Sequence, residues 1–354
     1  MTIPTGPYGY GYPPPPPPPK PGVIPLAPLG LSQILTGAFA TLGRHWKQLL
    51  GVATAAYGAA LLLVAGAVGI AYAVVADHVP RVFDLPRGQE PSWDDGRPLL
   101  FAFGAVWVVA LVGMLLASAV VYAACPAVLQ EAVVGRRTSF GAIWRRSWSR
   151  MPSVLGTALL TMLLTVPVPL IVFVATFAGL FVALEGSGPV AWVFLSFGGA
   201  MLATLLTAPL AAWLWVKFSL AAPAAVFEGQ GAVASMRRSS RLVQGSWWRV
   251  FGALLVAGLM AATANWMIQQ VLSLLLSFPA SFTDPAGADT AGEVLIAFVP
   301  LLVIAVIGSM VAQALCSVFP PLVAALVYVD QRIRKENLAP ALAQTAGVAH
   351  PFTG

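Results

Sequence analysis

Ala59-Ala60-Leu61-Leu62-Leu63-Val64 and Leu301-Leu302-Val303-Ile304-Ala305-Val306 are apolar at every position. A helix on the surface of a soluble domain keeps one polar face, and a half-buried strand alternates. Neither pattern fits, so both runs are read as helix that meets apolar surroundings on every side. Each lies within a longer uncharged stretch, and six such stretches divide the chain: 48–76, 98–130, 151–184, 186–216, 250–283 and 294–329. A helix rises about 1.5 Å per residue and the hydrocarbon core is about 30 Å thick, so about 20 apolar residues cross it. Every stretch exceeds that length. A membrane β-barrel would show alternating segments of roughly 10 residues instead. The expected fold class is therefore all-α, a polytopic membrane protein with six transmembrane helices.

Composition excludes a soluble enzyme. Of the 354 residues, 58% are hydrophobic and 9% charged, and the mean hydropathy is +0.84; charged residues make up about a quarter of a soluble chain. Orientation follows from the 19 Lys and Arg, because basic residues near helix ends stay on the cytoplasmic side. Lys20, Arg44 and Lys47 precede the first stretch; Arg136, Arg137, Arg145, Arg146 and Arg150 follow the second; Lys217, Arg237, Arg238, Arg241 and Arg249 lie between the fourth and fifth; Arg332, Arg334 and Lys335 follow the sixth. The opposite side keeps only Arg81, Arg87 and Arg97, together with Asp77, Asp84, Glu90, Asp94, Asp95, Glu185, Asp284, Asp289 and Glu293. Both termini are expected in the cytoplasm and the protein in the plasma membrane. The first helix would direct insertion, since no basic region followed by a short apolar one precedes it. Cys125 and Cys316 fall inside the stretches and read as packing residues rather than a disulfide.

A proline recurs at even spacing, as Pro126, Pro223 and Pro320, each near the cytoplasmic end of an even-numbered helix. Upstream of the odd-numbered helices, Phe39 to Gly51, Trp144 to Gly156 and Ala234 to Gly252 each mix aromatic and basic residues and end on glycine. The chain is accordingly read as three copies of one unit, a cytoplasmic interfacial helix plus a two-helix hairpin, over about 28–130, 131–228 and 229–330. In the first copy Leu31, Ile34, Leu35, Ala38, Phe39 and Leu42 share a face expected to lie in the headgroups, with Ser32 as a nearby cap. Each repeated proline is expected to kink or break its helix, freeing a carbonyl near Tyr122, Ser219 or Cys316, either as a hinge or as a packing device. Pro167, Pro169 and Pro209 add irregularity outside the repeat.

Two sets of residues carry candidate sites. Arg136, Arg137, Arg145, Arg146, Arg150, Arg237, Arg238, Arg241 and Arg249, interleaved with Trp144, Trp148, Trp247 and Trp248, read either as contacts for anionic lipid or as an ordinary positive-inside anchor. Lys217, Asn265, Gln269 and Gln313 are polar residues within apolar stretches. Lys217 is expected either to be partly submerged, facing a phosphate or anionic solute, or to lift its ammonium to the interface. Asn265 and Gln269, one turn apart, would meet Gln313 as a polar path or as interhelical glue.

Enzyme signals are weak. His45, His78 and His350 lack partners at metal-ligand spacing, and no phosphate loop or nucleophile elbow is present. Asp77, His78, Arg81 and Asp84 form a group that a lipid hydrolase would use, or an acidic solvated loop. No catalysis, cofactor or metal is expected, and no nucleic-acid partner, because the pI of about 9.6 reflects topology. Residues 1–27, with Tyr8-Gly9-Tyr10-Gly11-Tyr12 and Pro13 to Pro19, read as a disordered cytoplasmic tail, a tether or a docking strip, and 336–354 as a second tail. The membrane domain spans 28–335.

Pro28-Leu29-Gly30-Leu31-Ser32-Gln33-Ile34-Leu35-Thr36-Gly37-Ala38-Phe39 and Tyr328-Val329-Asp330-Gln331-Arg332-Ile333-Arg334-Lys335-Glu336 resemble motifs of bacterial integral membrane proteins, common in actinobacteria, described as glycerophosphoryl diester phosphodiesterase membrane-domain-like. That family's first motif often carries acids where this chain has Gln33 and Thr36. The resemblance implies a membrane domain that elsewhere accompanies a phosphodiesterase, without the catalytic domain. The leading expectation is a non-catalytic scaffold or accessory protein that contacts anionic lipid or a protein partner. The alternatives are a transporter or channel for a small solute or lipid and, last, a membrane-embedded enzyme related to lipid phosphodiesterases.

Overall fold

The structure, a computed structural model, describes residues 27–83, 92–134, 140–165, 191–280 and 291–336. The proline-rich front, Arg136, Arg137, Pro167, Pro169, the second half of the third uncharged stretch and the tail after Glu336 lie outside the described residues. Among the described residues all elements are helices: α1 (Leu31–Val75), α2 (Val79–Phe83), α3 (Trp93–Val134), α4 (Phe140–Thr165), α5 (Ala191–Phe218), α6 (Ala221–Glu228), α7 (Ala232–Val243), α8 (Trp247–Ala280), α9 (Ala291–Cys316) and α10 (Phe319–Glu336). Among the described residues five helical stretches are long and apolar enough to cross a membrane: Leu31–Val75, Trp93–Val133, Met201–Glu228, Trp247–Leu275 and Val303–Glu336. The third uncharged stretch is not among them, because α4 is described only as far as Thr165.

Among the described residues burial is concentrated at one end of the bundle, which is the dry end. α1 and α3 run side by side, and their axes come close because Gly113 faces Ala60: a Cβ on Gly113 would lie 3.5 Å from that of Ala60. α8 pairs with α9, where the missing side chain of Gly308 makes room for Leu272. Close approach through small residues is how membrane helices gain contact when apolar surroundings remove the hydrophobic driving force. Far from the core, Leu62, Ile70 and Val74 of α1 and Phe101 and Trp107 of α3 are exposed, the surface that lipid covers in a spanning helix.

α10 forms the centre of the dry end. Leu322, Val323, Ala325, Leu326 and Tyr328 have no measurable exposure, and the helix packs on α1, α3, α6, α7 and α8. The first turns of α1 are built into this core instead of lying free in the headgroups. Ile34 and Ala38 are buried, and Phe39, half exposed, sets its ring 4.7 Å from that of Phe319. The cap is also not Ser32: the Gln33 side-chain oxygen accepts the Gly30 N–H at 2.8 Å, one half of a capping box. α1 then bends at His45, whose φ of −119° and ψ of 22° interrupt the helix.

The repeated prolines do not act alike: the expected kink or break appears at two of the three. α3 continues unbroken through Pro126. The other two helices break before their prolines, at Ser219-Leu220 and Ser317-Val318. Pro223, Pro320 and Pro321 thus fall in the first turns of α6 and α10. There the missing N–H removes nothing, since first-turn donors have no partner within the helix. The Val318 carbonyl at the second break accepts the Cys125 thiol at 3.5 Å. Pro223→Ala and Pro320→Ala are therefore expected to change stability by less than about 1 kcal/mol, against about 3 kcal/mol for a mid-helix proline. Thermal melting of the purified variants in detergent checks this, and a shift of mid-helix size would restore the kink reading.

Candidate functional site

Charge is concentrated where α10 leaves the core. The Asp330 carboxylate is fully buried. It accepts the Leu29 N–H at 2.8 Å, Arg249 Nε at 3.1 Å and Arg334 Nε at 2.9 Å. Both guanidinium groups also donate to the Leu29 carbonyl, Arg334 at 2.9 Å. Three side chains thus grip both backbone polar groups of one residue, and they join the two motifs that carry the resemblance. A buried carboxylate is tolerated only when paired and hydrogen-bonded in this way.

One turn further along α10, a second cluster gathers α6 and α7. Glu228 accepts from Arg238 Nε at 2.8 Å, Tyr328 Oη at 2.5 Å and Gln230 Nε2 at 2.9 Å. Glu336 takes Arg238 Nη2 at 2.7 Å and Arg332 Nε at 2.9 Å. Burial works against the Arg238 charge, but Glu228 and Glu336 outweigh it and raise its pKa above the ordinary arginine value. The Lys335 ammonium donates to the Leu242 and Gln244 carbonyls at 2.8 and 2.6 Å, placing a cation at the C-terminus of α7 where the helix dipole favours it. Ser246 donates to Gln331 at 2.8 Å.

These clusters consume part of the predicted basic set. Arg238 and Arg249 are committed as above, Arg146 lies 3.6 Å from Glu131, and Arg150 donates to the Gly229 carbonyl at 3.0 Å. Gly229 ends α6 with φ of +69°, and a Cβ there would meet Arg150 Nη2 at 2.9 Å. Arg145, Arg237 and Arg241 are exposed, and their guanidinium groups have no ion-pair or hydrogen-bond partner among the described residues. α4 and α7, which carry them, touch where Gly156 meets Ala232, and α4 reaches α1 where Phe140 covers Gly51. Trp46 of α1, Trp148 of α4 and Trp248 at the start of α8 are exposed, at 52%, 56% and 77%.

The polar residues of the apolar stretches separate into three places. Lys217 stands one residue before the end of α5, half-buried, with Nζ 4.5 Å from the centre of the Trp213 ring, a cation–π contact. It does not join the amides. Gln269 accepts from Ser309 at 3.3 Å, tying α8 to α9. Asn265 and Gln313 do come together, on the wall of a cavity of about 660 Å³ bounded by α1, α3, α4, α5, α6, α8, α9 and α10. The Tyr57 hydroxyl interacts there with Ser317 and Gln313, and the threonines of α4, Thr157, Thr161 and Thr165, add a polar row. Among the described residues no group of three or more His, Cys, Asp or Glu is placed to hold a metal, and Cys125 and Cys316 are free thiols. Arg81 of the predicted outer group pairs with Asp95 at 3.6 Å, while Asp84 lies outside the described residues.

Long apolar helices pinned at one end by buried ion pairs define an all-helical protein of the membrane class. The chain matches the family described as Domain of unknown function (DUF7847) over residues 31–331 and belongs to it. No curated protein and no solved structure matches the chain.

Proposed function

We propose that this protein is a non-catalytic scaffold of the plasma membrane that holds anionic lipid, or a protein partner together with such lipid, against its cytoplasmic face. One observation carries the reading: Arg145, Arg237 and Arg241 stay exposed and unpaired among the described residues while Trp148 and Trp248 stand exposed on the same helices or their direct continuation. Indole rings favour the headgroup level, and each arginine near an anionic surface contributes about 1 kcal/mol. In this reading six helices form three repeated units with both termini cytoplasmic. The bend at His45 and the turn at Gly245 support the repeat, since each falls just before a tryptophan that stands five residues ahead of Gly51 or Gly252. The resemblance to phosphodiesterase membrane domains makes a lipid-acting enzyme the class of protein partner.

The test uses the full chain in nanodiscs containing phosphatidylglycerol and phosphatidylcholine, with retained lipid weighed by native mass spectrometry. Phosphatidylglycerol is expected to be retained selectively. The triple variant R145A/R237A/R241A is expected to weaken that retention roughly a hundredfold, about 1 kcal/mol for each charge removed. Equal retention of both lipids, or retention unchanged in the variant, overturns the proposal. The transporter reading draws on the cavity around Asn265 and Gln313, and solute flux into proteoliposomes is its test.

A further inference from the structure

The cavity of about 660 Å³ is partly open, of a size to take a small organic molecule or the glycerol end of a lipid whose chains pass out of it, and its lining says which kind. No Asp, Glu, Lys, Arg or His lines it among the described residues. An ionised headgroup would enter without a counter-charge, at the cost that burying an unpaired ion always carries. The occupant is uncharged. Most of the wall is apolar, contributed by residues such as Met114, Leu254 and Ala261, so the occupant is apolar over most of its surface.

The serine and threonine hydroxyls of the wall share one hydrogen-bonding sense, beside the donor-bearing side chains of Tyr57, Asn265 and Gln313. Thr157, Thr161 and Thr165 each donate their hydroxyl proton to a carbonyl of their own helix, at 2.7, 2.7 and 2.8 Å. Ser118, Ser219 and Ser317 do the same at 2.9, 2.8 and 3.2 Å. A hydroxyl has one proton and two lone pairs, so these six groups can offer a ligand only acceptor oxygens. The side-chain oxygen of Asn265 is buried and has no hydrogen-bond partner among the described residues. A buried acceptor left unpaired is destabilising, and a donor brought by a ligand would relieve it.

We propose that this cavity binds an uncharged amphiphile carrying a free hydroxyl, of the diacylglycerol class, with the hydroxyl donating to Asn265 Oδ1 once the amide turns toward the cavity. The site is separate from the arginines of the lipid-contacting surface, and neither depends on the other. Native mass spectrometry of the full chain in a neutral detergent tests it, with dioleoylglycerol, the same lipid methylated on its hydroxyl, and phosphatidylglycerol as probes.

One equivalent of dioleoylglycerol is expected to be retained. The methylated lipid is expected to bind roughly tenfold more weakly, the worth of one buried hydrogen bond. Asn265→Leu is expected to give the same loss without lowering the thermal midpoint, because no hydrogen bond to its oxygen is broken. Ala261→Phe, which fills the cavity without altering a polar group, is the second variant and is expected to abolish retention. The proposal is overturned if dioleoylglycerol is not retained, if the methylated lipid binds equally well, or if phosphatidylglycerol displaces dioleoylglycerol at equimolar concentration. The comparison of the two lipids needs no variant, so it stands even where a substitution disturbs folding.

Discussion

Asp330→Asn is expected to destabilise the protein by about 2–4 kcal/mol. Removing one partner of a buried ion pair typically costs about 3–5 kcal/mol. The lower figure applies here because the two arginines keep 38% and 35% of their side-chain surface exposed, so water screens part of their mutual repulsion. Asparagine preserves the acceptor for the Leu29 N–H at 2.8 Å, which isolates the charge from the hydrogen bond. What remains is two guanidinium groups converging on one backbone carbonyl without their shared anion. The start of α1 then keeps its apolar contacts and the Leu29 hydrogen bonds but loses the charge that balances the two arginines. Thermal melting in detergent gives the first readout, and amide hydrogen exchange over Leu31–Ala38 the second: exchange is expected to rise there before it rises in α3. A variant that melts within about 0.5 kcal/mol of the parent would mean that Asp330 does not hold α1 in place.

The spanning helices were legible because their signal is local. An uncharged run longer than the hydrocarbon thickness needs no knowledge of its neighbours, and α1, α3, α5, α8 and α9 each contain one. The basic clusters were not legible in the same way. Counting Lys and Arg for orientation treats each as facing water, yet Arg249 meets Asp330 across 81 positions and Arg238 meets Glu336 across 98. Nothing in the local pattern of Arg237-Arg238-Ser239-Ser240-Arg241 separates the buried member from the exposed two. The prolines were ambiguous for a different reason. A missing N–H suits the middle of a kinked helix and the first turn of a new one equally well, and the turn that decides between them, at Ser219 or Ser317, carries no glycine to announce it. The amides were half legible: the spacing placed Asn265 and Gln269 on one face, but the cavity admits Asn265 and leaves Gln269 to Ser309.

Glu228→Gln is expected to cost about 2 kcal/mol, and a double-mutant cycle with Arg238→Gln to return a coupling of about 1–2 kcal/mol. The carboxylate is 15% exposed and its guanidinium partner 18%, too dry to behave as a surface pair and too wet to pay the full desolvation penalty of a deep one. Glu228 also accepts the Tyr328 hydroxyl at 2.5 Å, and its chain ends α6 beside the left-handed Gly229. One carboxylate therefore fixes the angle between α6, α7 and α10. Glutamine can still accept from Tyr328 but leaves Arg238 with Glu336 alone, a partner on the last turn of α10. The pair Arg146–Glu131, at 3.6 Å with the arginine 45% exposed, is the internal comparison and is expected to couple by less than about 0.5 kcal/mol. Measured in the same detergent, the two cycles separate the effect of burial from the effect of charge. Equal couplings would mean that the Glu228 cluster is an ordinary surface network, and that apolar packing of α10 alone assembles this end of the bundle.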